Sequence, residues 1–343
     1  MPVVKERFPS VDILRGIALL SMTLFHPIWR LVPSFDYISR LFLAPAAAIS
    51  QNAPFLEIAA SFVKFAVGLA LRFFLDLSYL AMGLFCFSLG IGLGISFVRR
   101  GGKPIFFKRH FLRFVVLFVL GFLLDFILMF GWKPHIITVL GIIATVGAET
   151  VVFLWLPRCA RPVALFLMPF AFFAIQPIGA TLLIDNSLSF VGAYGIFTLP
   201  IASCFGALAG IDLAEKKGLP PAKLFSFAIV LLCVISVLFW PIDFTRTGAS
   251  PAYALVIAIL GLAMLFLLEK TAVKNRFLQT LGYNALMIFV LEYLIIHYPW
   301  RIITNGEPIA FDLALVLAWI IIANFFYYKI SFFLNARGIR LTV

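Results

Sequence analysis

Residues 7–30 read RFPSVDILRGIALLSMTLFHPIWR, an apolar run into which Asp12, Arg15 and His26 are set. It has the length of a helix that crosses a bilayer, which takes about 20 mostly apolar residues. An α-helix turns about 100° per residue, so the eleven-residue step from Arg15 to His26 returns to within about 20° of the same face. Arg15, Leu19, Met22 and His26 therefore form one stripe, whose two ends stand roughly 16 Å apart along the axis. Ionisable groups inside a span are costly and usually face a bundle interior or a wet cavity. Two on one stripe predict a lined cavity; the other reading is a snorkelling boundary arginine and an interfacial histidine.

The rest of the chain has the same character. Of its 343 residues 63% are hydrophobic and 12% are charged, which excludes an ordinary soluble domain. Spans are expected at 11–31, 77–98, 111–131, 136–156, 162–181, 192–212, 222–241, 251–269, 279–298 and 310–333. The fold class is all-α: a polytopic protein of about ten transmembrane helices forming one domain over 1–343, multi-pass in the cell membrane. The formal charge of +12 does not indicate nucleic acid, because the basic residues lie between apolar segments rather than on a polar face. Cys86, Cys159, Cys204 and Cys233 are isolated, without metal-ligand or redox spacing, and read as small packing residues. The first run lacks a cleavage site after it and reads as a retained span rather than a signal peptide.

Segment 54–75 is long and apolar but carries Glu57, Lys64 and Arg72. Lys and Arg concentrate in cytoplasmic loops, and the densest basic loop is Arg99, Arg100, Lys103, Lys108 and Arg109, with Arg113 just beyond. That loop falls in the cytoplasm only if 54–75 does not span. On this arrangement both termini are cytoplasmic, and 20 of the 27 Lys and Arg residues lie on that side. Residues 32–75 become an extracytoplasmic connection containing an amphipathic helix, interfacial or re-entrant, which either roofs a cavity or lies passively on the head groups.

Several groups suit chemistry. His26 is the best general base in the chain, since imidazole titrates near neutrality. Arg15 offers a planar fork of donors for a phosphate or carboxylate, or is satisfied by Asp12 three residues earlier. Asp76, Asp125, Glu149, Glu292 and His297 are further polar groups in or beside spans. The basic loop is an orientation signal, a phosphate-binding patch for a polyanionic nucleotide, or both. Gly83, Gly90 and Gly94, with Gly92 beside them, suit close approach of a neighbouring helix or of a ligand chain. No metal site, phosphate loop or hydrolase elbow is legible.

SVDILRGIALLSMTLFH resembles the first-span signature of the transmembrane acyltransferase superfamily, which includes acyltransferase-three proteins, heparan-α-glucosaminide N-acetyltransferase relatives and YeiB-like proteins. The likeness lies in an acidic residue, L-R-G, an apolar run, and an Arg and a His with ten residues between them. LFCFSLGIGLGISFVRR, KRHFLRF, GASPAYALVIAILGLAMLFLL and LGYNALMIFVLEYLI are weaker echoes of later segments. The chain departs from the pattern in having Glu292 where a histidine or other polar group is usual, and Arg109 and Arg113 four apart rather than three. The resemblance implies acyl transfer, acetyl in the simplest case, from cytoplasmic acyl-CoA to a hydroxyl or amine of a glycan or lipid of the cell envelope, without metal. It further implies that Arg99, Arg100, Lys103, Lys108, Arg109 and Arg113 bind the nucleotide, Arg15 guides the donor, His26 activates the acceptor and Asp12 orients Arg15. A proton-coupled transporter or lipid-handling permease using the same stripe is the competing reading, and a non-catalytic membrane partner is a third. Homo-oligomerisation is left open.

Overall fold

The computed structural model describes residues 8–31, 43–51, 54–66, 80–101, 104–128, 139–182, 192–215, 222–239, 250–292 and 313–338. Among them every regular element is an α-helix. In chain order these are α1 (Pro9–Leu31), α2 (43–50), α3 (55–66), α4 (Ala81–Arg99), α5 (Pro104–Leu128), α6 (Val139–Trp155) and α7 (Ala160–Leu182). They continue as α8 (Gly192–Ala214), α9 (Ala222–Leu238), α10 (Pro251–Thr271), α11 (Arg276–Tyr283), α12 (Ala285–Glu292) and α13 (Leu313–Ala336). The helices pack as two compact units, one of Met1–Arg15 with Gly83–Arg276, the other of Gly16–Met82 with Phe277–Thr342.

Among the described residues, three stretches are long and apolar enough to cross a membrane: Ala81–Arg99, Phe197–Ala214 and Pro251–Thr271. Shorter apolar helices cover Leu140–Trp155, Ala160–Ala174 and Ala222–Leu238. The protein is thus a helical one with the apolar spans of a membrane protein. The outer surfaces agree: α5 exposes Leu112, Val116 and Val119, and α13 exposes Ile321, Ile322 and Phe325. Apolar faces of that extent are matched to hydrocarbon rather than to water.

In the first unit the glycines of α4 decide what touches it. A Cβ at Gly90 would collide with the Ser203 carbonyl of α8, and one at Gly94 with the Ala207 carbonyl. Reciprocally, a Cβ at Gly206 or Gly210 would strike the carbonyls of Phe87 or Ile91 on α4. Glycines four residues apart on both helices therefore bring two backbones together, the packing that small residues permit in apolar surroundings. Nearer the start of α4, a Cβ at Gly83 would lie 2.6 Å from the Ile257 side chain of α10, and Phe87 fills the space over Gly261. Helix α10 starts cleanly because the Ser250 side chain accepts from Tyr253 N at 3.2 Å and Pro251 occupies the first turn. It stops at Ala272 in the left-handed region, φ 47°.

The second unit is joined by buried polar pairs. Thr23 Oγ1 donates to Asn324 Oδ1 at 2.8 Å, and Asn284 Nδ2 donates to Ser331 Oγ at 3.0 Å. Ser331 in turn donates to the Thr280 carbonyl, and a Cβ at Gly16 would collide with the carbonyl of Leu278. The expected span 279–298 differs here: its described part is two helices, α11 and α12, meeting at Asn284. The Asn284 side chain is held by Ser331, which fixes the junction. Within the expected connection 32–75, α2 and α3 are described, and α3 exposes Phe55, Leu56 and Val63 on a largely uncovered surface. Residues 32–42, 52–53 and 67–75 of that connection lie outside the described residues, as do 1–7 and 339–343 at the termini.

Candidate functional site

Helix α1 runs unbroken from Pro9 to Leu31, so Asp12, Arg15 and His26 share one helix. The side chain of His26 lies outside the described residues. Arg15 and Asp12 belong to the first unit, where the Arg15 Nη1 and Asp12 Oδ1 atoms are 3.7 Å apart and both side chains are 14% exposed. That separation is long for a charge-assisted hydrogen bond. Among the described residues it is the guanidinium's only ion pair, and a guanidinium carries five donors in all.

The guanidinium sits in a niche made by a missing side chain. A Cβ at Gly92 would collide with Arg15 Nη2 and lie 3.7 Å from its Cζ. Gly92 points away from the glycines that meet α8, because a two-residue step along a helix turns about 200°. One side of α4 thus carries backbone packing while the other holds the arginine. The entry of α1 is fixed nearby, where buried Ser10 donates a hydrogen bond to Glu269 of α10.

Seven residues beyond Gly92, about 10 Å along α4, the helix ends in Arg99 and Arg100. Arg99 is exposed, with its guanidinium 5.7 Å from the Phe8 ring. Lys108, Arg109 and Arg113 are exposed on α5, and Lys103 lies outside the described residues. Burial, followed by the charges of Arg109 and Arg113, lowers the pKa of Arg100, so these three guanidinium groups feel one another. Crowded like charges repel in the absence of a counter-charge and attract polyanions.

Two polar side chains at this end were not singled out from sequence. His110, on the buried side of α5, places Nε2 3.2 Å from Ser96 Oγ of α4. Burial, then Arg100, Arg113 and Arg109, push its pKa down to about 4. Arg161, 6% exposed, donates from Nε to the Leu156 carbonyl at 3.1 Å and from Nη2 to the Leu154 carbonyl at 2.7 Å. It closes the C-terminal end of α6 and covers the Phe97 ring at 5.0 Å. The run KRHFLRF reads first as a block of positive charge. Only the helical phase, with Phe114 buried and Arg109 and Arg113 exposed, marks His110 as inward-facing.

The other polar groups fall elsewhere. Glu149 is half-buried on α6, within electrostatic reach of Cys204, beside a Thr150–Ser203 hydroxyl contact of 2.8 Å. Glu292 is fully buried in the second unit, within electrostatic reach of the Tyr327 hydroxyl. Asp125 is on α5 with its side chain outside the described residues, and His297 is outside them altogether. Cys86 and Cys204 are buried, as packing residues are, whereas Cys159 and Cys233 are exposed.

What the arrangement can do chemically is bind an anion at the surface and offer a second cationic contact deeper along the same helix. No known family model matches the chain, and no curated protein matches it.

Proposed function

We propose that the protein is an integral membrane acyltransferase that takes an acyl group from cytoplasmic acyl-CoA and transfers it to a hydroxyl or amine of a cell-envelope glycan or lipid. The observation that carries this reading is the pairing of two cationic places along α4: Arg99 and Arg100 at its end, and the Arg15 guanidinium in the Gly92 niche about 10 Å deeper. A coenzyme A molecule has matching parts, with phosphates at one end and a long, thin arm leading to the thioester. Arg99, Arg100, Lys108, Arg109 and Arg113 hold the phosphates, joined by Lys103. Arg15, steadied by Asp12, guides the arm.

In the transfer itself His26 takes the proton of the acceptor hydroxyl or amine as its oxygen or nitrogen attacks the thioester carbonyl. The new C–O or C–N bond replaces the C–S bond, and coenzyme A leaves as the thiol with that proton. The stripe of α1 orders the chemistry, because Arg15 and His26 stand roughly 16 Å apart on nearly one face.

The test is mass spectrometry of the purified protein with its bound coenzyme A species. Wild-type protein is expected to retain acyl-CoA or coenzyme A, and the triple change Arg100→Gln, Arg109→Gln, Arg113→Gln to lose it. Wild-type protein that binds no acyl-CoA at saturating concentration would remove the reading.

A further inference from the structure

Between Leu140 and Trp155, helix α6 has one uncovered stripe. Thr145, Ala148, Glu149, Val152 and Trp155 recur at steps of three and four residues and are half-buried or exposed, while the residues between them are buried. The uncovered stripe of an apolar helix in a membrane protein faces hydrocarbon. Trp155, just before the basic corner of Arg158 and Arg161, has the side chain that suits a membrane–water boundary. Glu149, six residues earlier, stands about 9 Å further in along the axis.

The hydroxyl groups beside Glu149 have no proton left for it. Thr145, one turn earlier, gives its proton to the Gly141 carbonyl at 2.9 Å, and Thr150 gives its own to the Val146 carbonyl at 2.7 Å. A hydroxyl has a single proton, so the Thr150–Ser203 contact of 2.8 Å is made with the proton of Ser203. Among the described residues no cation is in ion-pair contact with Glu149. The helices packed against α6 are α5, α7 and α8. On α8 the nearby titratable group is Cys204, which is fully buried, with Asp212 two turns further on. On α5, His110 contacts Ser96 of α4, and Arg109 and Arg113 are exposed. On the α7 side, Arg161 is bound to the Leu154 and Leu156 carbonyls and Arg158 is paired with Glu215.

We propose that Glu149 is a proton-binding site in the membrane interior, a carboxylic acid on the hydrocarbon-facing stripe of α6 that holds one exchangeable proton at neutral pH and is open to hydrophobic carbodiimides. The two protonation states need different neighbours. A carboxylate accepts only, and with neither donor nor cation at hand its charge is costly in an apolar setting. A carboxylic acid needs an acceptor for its proton, and the Thr145 carbonyl, four residues back on the same helix, has a second lone pair to offer. The site is separate from Arg15 and His26, and the proposal makes no use of acyl transfer.

Carbodiimides react with the acid and not with the carboxylate. The acid proton passes to one carbodiimide nitrogen, the carboxyl oxygen bonds to the central carbon, and an oxygen-to-nitrogen acyl shift leaves a stable N-acylurea; nothing is oxidised and no group departs. Wild-type protein in phosphatidylcholine nanodiscs, without acyl-CoA, is treated with dicyclohexylcarbodiimide at pH 7 and pH 9, and in parallel with a water-soluble cationic carbodiimide, and its peptides are mapped by mass spectrometry. An ordinary glutamic acid, titrating at about 4.3, is ionised at pH 7 and inert. The Glu149 peptide is expected to gain one dicyclohexylcarbodiimide at pH 7, several-fold less at pH 9, and little of the water-soluble reagent. Glu149→Gln should abolish the adduct and Glu149→Asp, which keeps an acid, should retain it.

An unlabelled Glu149 at pH 7 would overturn the proposal, and is the result if the side chain pairs with Arg113 in the bilayer. Equal labelling at both pH values, or preference for the water-soluble reagent, would overturn it as well. The readout needs no substrate, so it stands whether or not the protein releases coenzyme A from acyl-CoA.

Discussion

The Arg15 guanidinium occupies the space that a side chain at Gly92 would fill. An alanine there must push the guanidinium out of its niche or move α1 away from α4. Overpacking of this kind costs about 1–3 kcal/mol. Gly92→Ala is therefore expected to reduce acyl-CoA-dependent release of coenzyme A by about tenfold or more, as loss of one positioned contact does. A thiol assay on purified protein, with folded fraction checked by size-exclusion chromatography, reads both effects.

Gly90 and Ser203 make a different kind of contact, backbone against backbone. Gly90→Val is expected to cost at least about 2–3 kcal/mol, because a carbonyl cannot rotate away as a flexible side chain can. Gly338 is the comparison: its φ is 73° with nothing within 4 Å of a Cβ, so Gly338→Ala should cost only about 1 kcal/mol of backbone strain. Thermal stability of the two variants in detergent separates the cases.

The same glycines show how far the sequence could be read. Apolar length located α10 at Pro251–Thr271 against an expected 251–269, and α9 at Ala222–Leu238 against 222–241, since hydropathy depends on composition alone. The Gly83, Gly90, Gly94 spacing left helix packing and ligand approach both open. It is packing for those three, whereas Gly92 makes room for a charged group. That distinction depends on which helices lie on each face of α4, and pairing of distant helices is not carried by local periodicity. The break at Asn284 was hidden for a related reason. The segment is apolar enough overall to read as one span, and its interruption is held by Ser331, 47 residues away in sequence.

Arg161 and Arg158 are three residues apart in one corner and should behave oppositely. Arg161 is buried against two helix-end carbonyls, and Arg161→Met leaves both without their charged donor, at an expected cost of about 2–3 kcal/mol. Arg158 is 76% exposed on the side-chain scale in its pair with Glu215, and solvent screening limits Arg158→Ala to less than about 1 kcal/mol. Paired thermal melts check the contrast.

His110 gives stability a pH dependence of defined sign. In the fold its pKa is lowered to about 4, below an unfolded value of about 6.5, so the unfolded chain binds the proton first. Its contribution is complete above the unfolded value and is lost as pH falls from there towards the folded one. Ligand-free protein should therefore melt at lower temperature at pH 5 than at pH 7.5, and His110→Gln should show a smaller difference. An equal difference in the variant would assign the effect to other groups.

Purified protein supplied with acetyl-CoA and an extract of cell-envelope glycans and lipids, assayed for free coenzyme A and for acetylated product by mass spectrometry, tests the central claim most directly. The account predicts stoichiometric coenzyme A and acetylated acceptor from the wild type, with both lost in His26→Ala and strongly reduced in Arg15→Ala. Undiminished transfer by His26→Ala would contradict the assignment of the base. Absence of transfer from every acyl-CoA tried, together with substrate uptake driven by a proton gradient in proteoliposomes, would contradict the account as a whole.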